Sequence, residues 1–362
     1  MNILFTTNHP AQIHNFRPLR EELQKKDHNI FWIATEKDIS RYLLIHYQIN
    51  YKLIKKPGKD FFSKVKILII NTIQSIRFIR KNKIDLIISR VSPYLALAGL
   101  LTNTKHIALA DTESSGIYNK MFVKFTNAFL TSKTFKLQLT KDQIRFDGNI
   151  ELFYLHPKRF QPMKREEVAN LLGIEKNEPY IIMRFVSWDA YHDKGLSGFT
   201  DANKLKAAKA FSKHGRVFIS SESELQPELE PYRIKIPPEK MHDVLAHATL
   251  FFGESSTMAS ESAVLGTPAI FMNYNWFGVT EEEENYNLLY SFKDDIVSQS
   301  NAIEKGLELL QNPDLKVTIK ANHKRFMENK IDVTGFMLWF IEKYPESARI
   351  MKENPDYQYR FR

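Results

Sequence analysis

The densest chemistry in the sequence lies in Leu250 to Met272, LFFGESSTMASESAVLGTPAIFM, which reads as strand, small polar loop, helix, glycine stop, proline and strand. Gly253 permits a tight exit from the strand. Ser255, Ser256 and Thr257 can cap the helix, leaving its first backbone N–H groups and the positive end of its dipole for an anion such as a diphosphate. Glu261 follows Thr257 by one helical turn, on the same face, where its carboxylate could accept two hydrogen bonds from a ribose diol. Gly266 is placed to end the helix. The same residues also suit an ordinary capped helix with a surface glutamate, so spacing alone leaves both readings open.

Candidates for proton transfer sit in the first third of the chain. His9 and His14 belong to the loop Asn8 to Phe16 after the first strand. An imidazole, with a pKa of about 6.5, suits a general base on an acceptor hydroxyl, or else a helix cap. Asp111 and Glu113 follow the strand HIALA directly and are equally good carboxylate bases, with capping the alternative for Asp111.

A second binding group is RFVSWDAYHDKG, Arg184 to Gly195, which crowds Arg184, Ser187, Trp188, Asp189, His192 and Asp193 into one loop. Arg184 suits phosphate and Trp188 suits a base or sugar face, against the alternatives of an Arg184–Asp189 pair and of Trp188 as interdomain packing. SSESEL, Ser220 to Leu225, brings Ser220 and Glu222 to the end of a further strand. His192 with Asp193 lacks metal-motif spacing, and no metal site is expected. The sequence contains no cysteine, which excludes disulfides, thiolate zinc sites and a cysteine nucleophile.

These groups need rigid elements to hold them. In the first 150 residues, Ile3 to Thr6, Ile30 to Thr35, Leu86 to Ser89, Ile107 to Ala110 and Phe129 to Thr131 read as strands separated by amphipathic helices, which implies a parallel sheet. Phe16, Leu19 and Leu23 mark one helix, and Phe62, Val65, Ile69, Ile73 and Ile76 a longer one; both are expected to cover the sheet. The segment Lys64 to Ile79 is interrupted by Lys66, Asn71, Gln74 and Arg77, far short of the ~18 apolar residues a membrane span requires. HPKRFQP, His156 to Pro162, reads as an interdomain linker. Beyond it Tyr180 to Arg184, Val217 to Ser220, Leu250 to Phe252 and Ala269 to Met272 read as strands, with helices near Lys204 to Ser212, Glu239 to Ala248 and Met258 to Leu265. The expectation is two doubly wound α/β domains, 1–155 and 160–330, facing across a cleft, with helices 332–362 crossing back onto the first.

The run ESSTMASESAVLGTPAIF resembles the donor-binding signature of GT-B glycosyltransferases and of the sugar-nucleotide 2-epimerases that share their fold. The resemblance implies that Ser255, Ser256, Thr257 and Met258 hold phosphate and Glu261 holds ribose, with Glu254 at the head of the run counted in the same site. It also implies that IPPEKMHDVLAHA, Ile236 to Ala248, meets the base, which makes His242 a candidate, while Met241 fits helix packing. NHPAQIHNF, SRVSPYLALAG, DTESSGIYNK, RFVSWDAYHDKG, GRVFISSESEL and FGESSTMASESAVLGTPAIF together resemble a prokaryotic GT-B-like family catalogued as a domain of unknown function.

The resemblance implies first a metal-independent glycosyltransferase, with a nucleoside diphosphate sugar as substrate and no further cofactor, serving cell-surface polysaccharide or glycoconjugate synthesis. The net charge of +9 suits a phosphorylated or lipid-linked acceptor at an anionic membrane surface, or simply a solvated lysine-rich exterior. The N-terminus lacks a signal-peptide pattern, so a cytoplasmic protein, peripheral at the inner face of the membrane, is expected. A 2-epimerase is the second reading. Glu113 stands at the place of an epimerase glutamate, but Val91 and Ser92 stand where epimerases carry an aspartate. A non-catalytic nucleotide-sugar or polymer binder is the third, and nucleic-acid binding is set aside because no recognised motif occurs.

Overall fold

The computed structural model describes residues 1–35, 38–56, 60–111, 113, 116–187, 198–272 and 277–362. The chain divides into two compact units, Met1–Arg159 with Ile331–Arg362, and Phe160–Lys330. The first begins β1 (Asn2–Thr7), α1 (Pro10–Gln24), β2 (Asn29–Thr35), α2 (Asp38–His46), β3 (Lys52–Ile54), α3 (Phe61–Lys81), β4 (Leu86–Arg90), α4 (Pro93–Thr102) and β5 (Lys105–Ala110). It continues with α5 (Gly116–Val123), β6 (Ala128–Ser132), β7 (Ile144–Phe146) and α6 (Leu152–Leu155). The second contains α7 (Arg165–Leu172), β8 (Tyr180–Phe185), α8 (Asp201–Phe211), β9 (Arg216–Ser221), α9 (Met241–Leu245), β10 (Leu250–Gly253), α10 (Ser256–Leu265), β11 (Ala269–Met272), α11 (Gly278–Asn285), β12 (Leu289–Phe292), α12 (Ile296–Gln311) and α13 (Leu315–Glu328). The chain then returns to the first unit with α14 (Val333–Glu342) and α15 (Glu346–Glu353).

Both sheets are parallel, ordered β3-β2-β1-β4-β5-β6-β7 and β12-β11-β10-β8-β9. Each therefore has a point where strand order reverses, between β1 and β4 and between β8 and β10, and ligands of such sheets bind at the carboxyl ends flanking it. The nine expected strands are present; β3, β7 and β12 were not expected. Each of these three is a short edge strand paired on one side only, so its residues need little of the apolar run that marks a central strand.

The two helices singled out by their apolar period behave differently. In α1, Phe16, Leu19 and Leu23 are buried, with Phe16 packed on Phe5 and Trp32. α3 also packs on the sheet, but of the residues that mark its period only Ile76 touches the core, together with Leu68 and Ile79, while Phe62, Val65, Ile69 and Ile73 are exposed. Sheet coverage comes from the neighbouring face, whose remaining buried residues are Asn71, Thr72 and Ser75. Among the described residues no helix is long and apolar enough to cross a membrane.

Candidate functional site

In the second unit the carboxyl ends of β8 and β10 lie side by side, with Gly253 opposite Arg184. A Cβ at Gly253 would run into the Arg184 carbonyl oxygen, so only glycine permits this approach. The next residue, Glu254, is buried. Its two carboxylate oxygens accept the backbone N–H groups of Phe199 at 2.7 Å and Val186 at 2.9 Å, one on either side of residues 188–197. Glu254, expected at the nucleotide-sugar site, thus holds backbone N–H groups on both sides of that segment.

Ser255 is the N-cap of α10, its Oγ accepting the Met258 N–H at 3.3 Å. The Met258 N–H is thereby committed to the cap, whereas the amides of Ser256 and Thr257 fall in the first turn, where the helix itself supplies no acceptor. Ser255, Ser256, Thr257 and Met258 are all partly exposed. The helix stops at Gly266 in the left-handed conformation, φ 81°. Glu261 is buried rather than on the surface, and its Oε1 lies 2.9 Å from Nε2 of His242 on α9. The imidazole in turn meets the Phe160 ring edge-on at 6.3 Å. The structure thus joins two expected site residues, Glu261 and His242, through their side chains.

Arg184 donates to Ser220 Oγ at 2.8 Å and to Glu222 Oε1, and Ser187 Oγ lies 3.5 Å from Glu222 Oε2. Among the described residues the ion-pair partner of Arg184 is Glu222. The pair cancels net charge, so toward a phosphate Arg184 offers oriented N–H donors more than a free cation. Its Nε is buried and has no partner among the described residues. Trp188, Asp189, His192 and Asp193 lie outside the described residues.

In the first unit the carboxyl ends of β1, β4 and β5 carry the other candidates. His9 takes the capping alternative, as N-cap of α1 with Nδ1 accepting the Ala11 N–H at 3.3 Å. His14 is buried between the rings of Tyr47 and Tyr154, at 5.9 and 5.7 Å. Asp111 does not stand alone. It forms an ion pair with Arg90 at the end of the adjacent strand. Burial pushes the Arg90 guanidinium down to about 10, opposed by the nearby charges of Glu151 and Tyr154. Glu113 Oε1 accepts the Lys136 N–H at 3.1 Å.

Sequence reasoning missed Arg90, although the β4–β5 neighbourhood places it beside the residues following HIALA. It also missed Ser260 donating to the fully buried Glu283, because EEEE at Glu281 to Glu284 looks like a solvated run. Among the described residues no cluster of three His, Asp or Glu side chains is arranged to hold a metal ion.

Two parallel doubly wound sheets with these strand orders form a GT-B fold, and solved structures with it are similar along nearly their whole length. The UDP-bound MnaA of S. aureus matches at TM-score 0.66 and 11% identity, over 96% of this chain and 98% of that one. The UDP-GlcNAc 2-epimerase of Neisseria meningitidis bound to UDP-GlcNAc matches at 0.65 and 12%, over 98% and 99%. MurG of Acinetobacter baumannii matches at 0.60 and 12%, over 95% and 100%. No curated protein matches the sequence. The chain belongs to the family described as Protein of unknown function (DUF354), whose family model matches residues 2–307.

Proposed function

We propose that the protein is a glycosyltransferase whose second unit binds a nucleoside diphosphate sugar and whose first unit supplies the acceptor side. The observation that carries this reading is the junction of β8 and β10, where the capped first turn of α10 stands next to Arg184 and one turn before the Glu261–His242 pair. In this reading the Ser256 and Thr257 amides and the oriented guanidinium of Arg184 take the diphosphate, and Glu261, steadied by His242, takes a ribose hydroxyl. The acceptor hydroxyl attacks the anomeric carbon as its proton passes to a base in the first unit, Glu113 or Asp111, with His14 the imidazole alternative. The leaving diphosphate needs no metal, because helix N–H groups and Arg184 stabilise its charge. The neighbours whose descriptions name UDP or UDP-GlcNAc support nucleotide-sugar binding. The basic surface suits a glycan or lipid-linked acceptor at the inner face of a membrane, in cell-surface polysaccharide or glycoconjugate synthesis.

The 2-epimerase reading retains Glu113 after β5 as one of its carboxylates, and product analysis separates the two: a transferred sugar in one case, a C2 epimer of the donor in the other. The test is calorimetric titration with UDP, GDP and CDP sugars, followed by Glu261→Ala with whichever binds. The variant should lose about 1–3 kcal/mol of binding while keeping its circular dichroism spectrum. Unchanged affinity in the folded variant removes Glu261 from the site, and no binding by any of the sugars removes the reading.

A further inference from the structure

Helix α3 distributes its side chains against the usual rule. Its core-facing side includes Asn71, which donates to the Lys55 carbonyl at 2.8 Å, Thr72, bonded to the Leu68 carbonyl at 2.8 Å, and Ser75. Its outward side shows Phe62 at 82% exposure, Val65 at 39%, Ile69 at 55% and Ile73 at 44%, with Phe61 beside Phe62 at 73%. Positions 62, 65, 69 and 73 recur at helical spacing, so they form one continuous stripe rather than scattered exposed residues. α4 packs against α3 and exposes Leu100 and Leu101 as well.

The charge around the stripe is predominantly positive. Between Phe61 and Lys81 the helix carries Lys64, Lys66, Arg77, Arg80 and Lys81, all exposed, and no acidic residue; exposed Lys55 and Lys56 precede it, and the one acidic neighbour at its start, Asp60, is engaged as the N-cap with its carboxylate accepting the Ser63 N–H. Two copies of such a face would bring like charges together, which disfavours self-association. Insertion across a bilayer is opposed by Lys66, Asn71 and Gln74 within the segment. An apolar stripe with bulky aromatic residues at one end, rimmed by cations, matches a helix lying in the plane of an anionic lipid surface.

We propose that the first unit binds the surface of an anionic phospholipid bilayer through α3. Phe62, Val65, Ile69 and Ile73 enter the boundary between headgroups and acyl chains, and Lys66, Arg77 and Arg80 meet lipid phosphates. The inference deepens the membrane-borne acceptor of the proposed function by naming the element that reaches the bilayer. Its test contains no nucleotide, so the two readings fail separately.

The experiment is co-sedimentation of the full chain with vesicles of phosphatidylcholine alone or mixed with phosphatidylglycerol. Binding should be roughly ten-fold tighter to the anionic vesicles and weaken with salt. Phe62→Ser with Ile69→Ser should weaken it by roughly ten-fold or more, and Lys66→Gln with Arg77→Gln should weaken it and flatten the salt dependence. These positions are exposed, so the melting temperature of each variant should stay near that of the parent. Absence of binding to the anionic vesicles overturns the proposal, as does equal binding by the serine variant. A parent that is dimeric by light scattering and becomes monomeric on the serine substitutions assigns the stripe to a second copy and overturns it too.

Discussion

In α1 the apolar residues at helical spacing are inside: Phe16, Leu19 and Leu23 lie against the sheet, and Phe16 meets Phe5, Trp32 and Phe153. In α3 the longer and more regular apolar stripe is outside, while Asn71, Thr72 and Ser75 lie inside with Leu68, Ile76 and Ile79. Periodicity therefore identifies a face but not what covers it. α3 crosses from the edge strand β3 to β4 and contacts the core through one strip alongside α4, while a second apolar strip is exposed among the described residues.

The contrast can be broken most directly by truncation. Phe16→Ala should cost about 3–5 kcal/mol in urea unfolding, the usual cost of deleting a fully packed aromatic ring. A loss as small as that of a surface substitution would place α1 and α3 in the same class.

Buried polar groups supply the next test. His106 on β5 is fully buried, its Nε2 lies 2.8 Å from Ser89 Oγ, and burial pushes its pKa down to about 3. Because the folded value lies below the ordinary one of about 6.5, its stabilising contribution is fully present above pH ~6.5 and is lost as pH falls toward ~3. Burial lowers His156 and His323 in the same sense. Between pH 7 and 5 the His106 contribution should fall by about 2 kcal/mol, and His106→Gln should flatten that part of the profile. An identical pH dependence in parent and variant would show that another group sets it.

Ser75 provides a smaller effect of opposite sign. Its buried Oγ has no hydrogen-bond partner among the described residues, so Ser75→Ala should raise stability by about 1 kcal/mol. A destabilised variant would mean that the hydroxyl is satisfied after all. Phe62→Ala should change stability by less than about 0.5 kcal/mol, since the ring is already in solvent. A loss above 2 kcal/mol would show that something within the chain covers the stripe.

The central strands and the α10 cap were legible because they rest on local rules: β-rich runs bounded by turns, a serine before a helix, and a glycine after it. Glu261 was legible as a functional candidate but not as a buried partner of His242, since the two residues belong to different helices joined by a strand. Arg184 was legible as a phosphate ligand, yet its pairing with Glu222 depends on the register of β8 with β9. The backbone contacts of Glu254 were not legible, because Val186 and Phe199 come beside it only in the folded sheet.

The first unit is split in sequence, and its late piece is held by several contacts. Ile331 donates its N–H to the Asp147 carbonyl, Asp332 pairs with Arg159, and Thr334 Oγ1 donates to the Phe153 carbonyl. Gln358 Oε1 accepts the Asp147 N–H. During synthesis, then, residues 1–159 leave the ribosome first but lack the helices that complete their packing, while residues 160–330 form an uninterrupted unit that can close as soon as it emerges. The unit begun first is closed only after the whole of the second has been made.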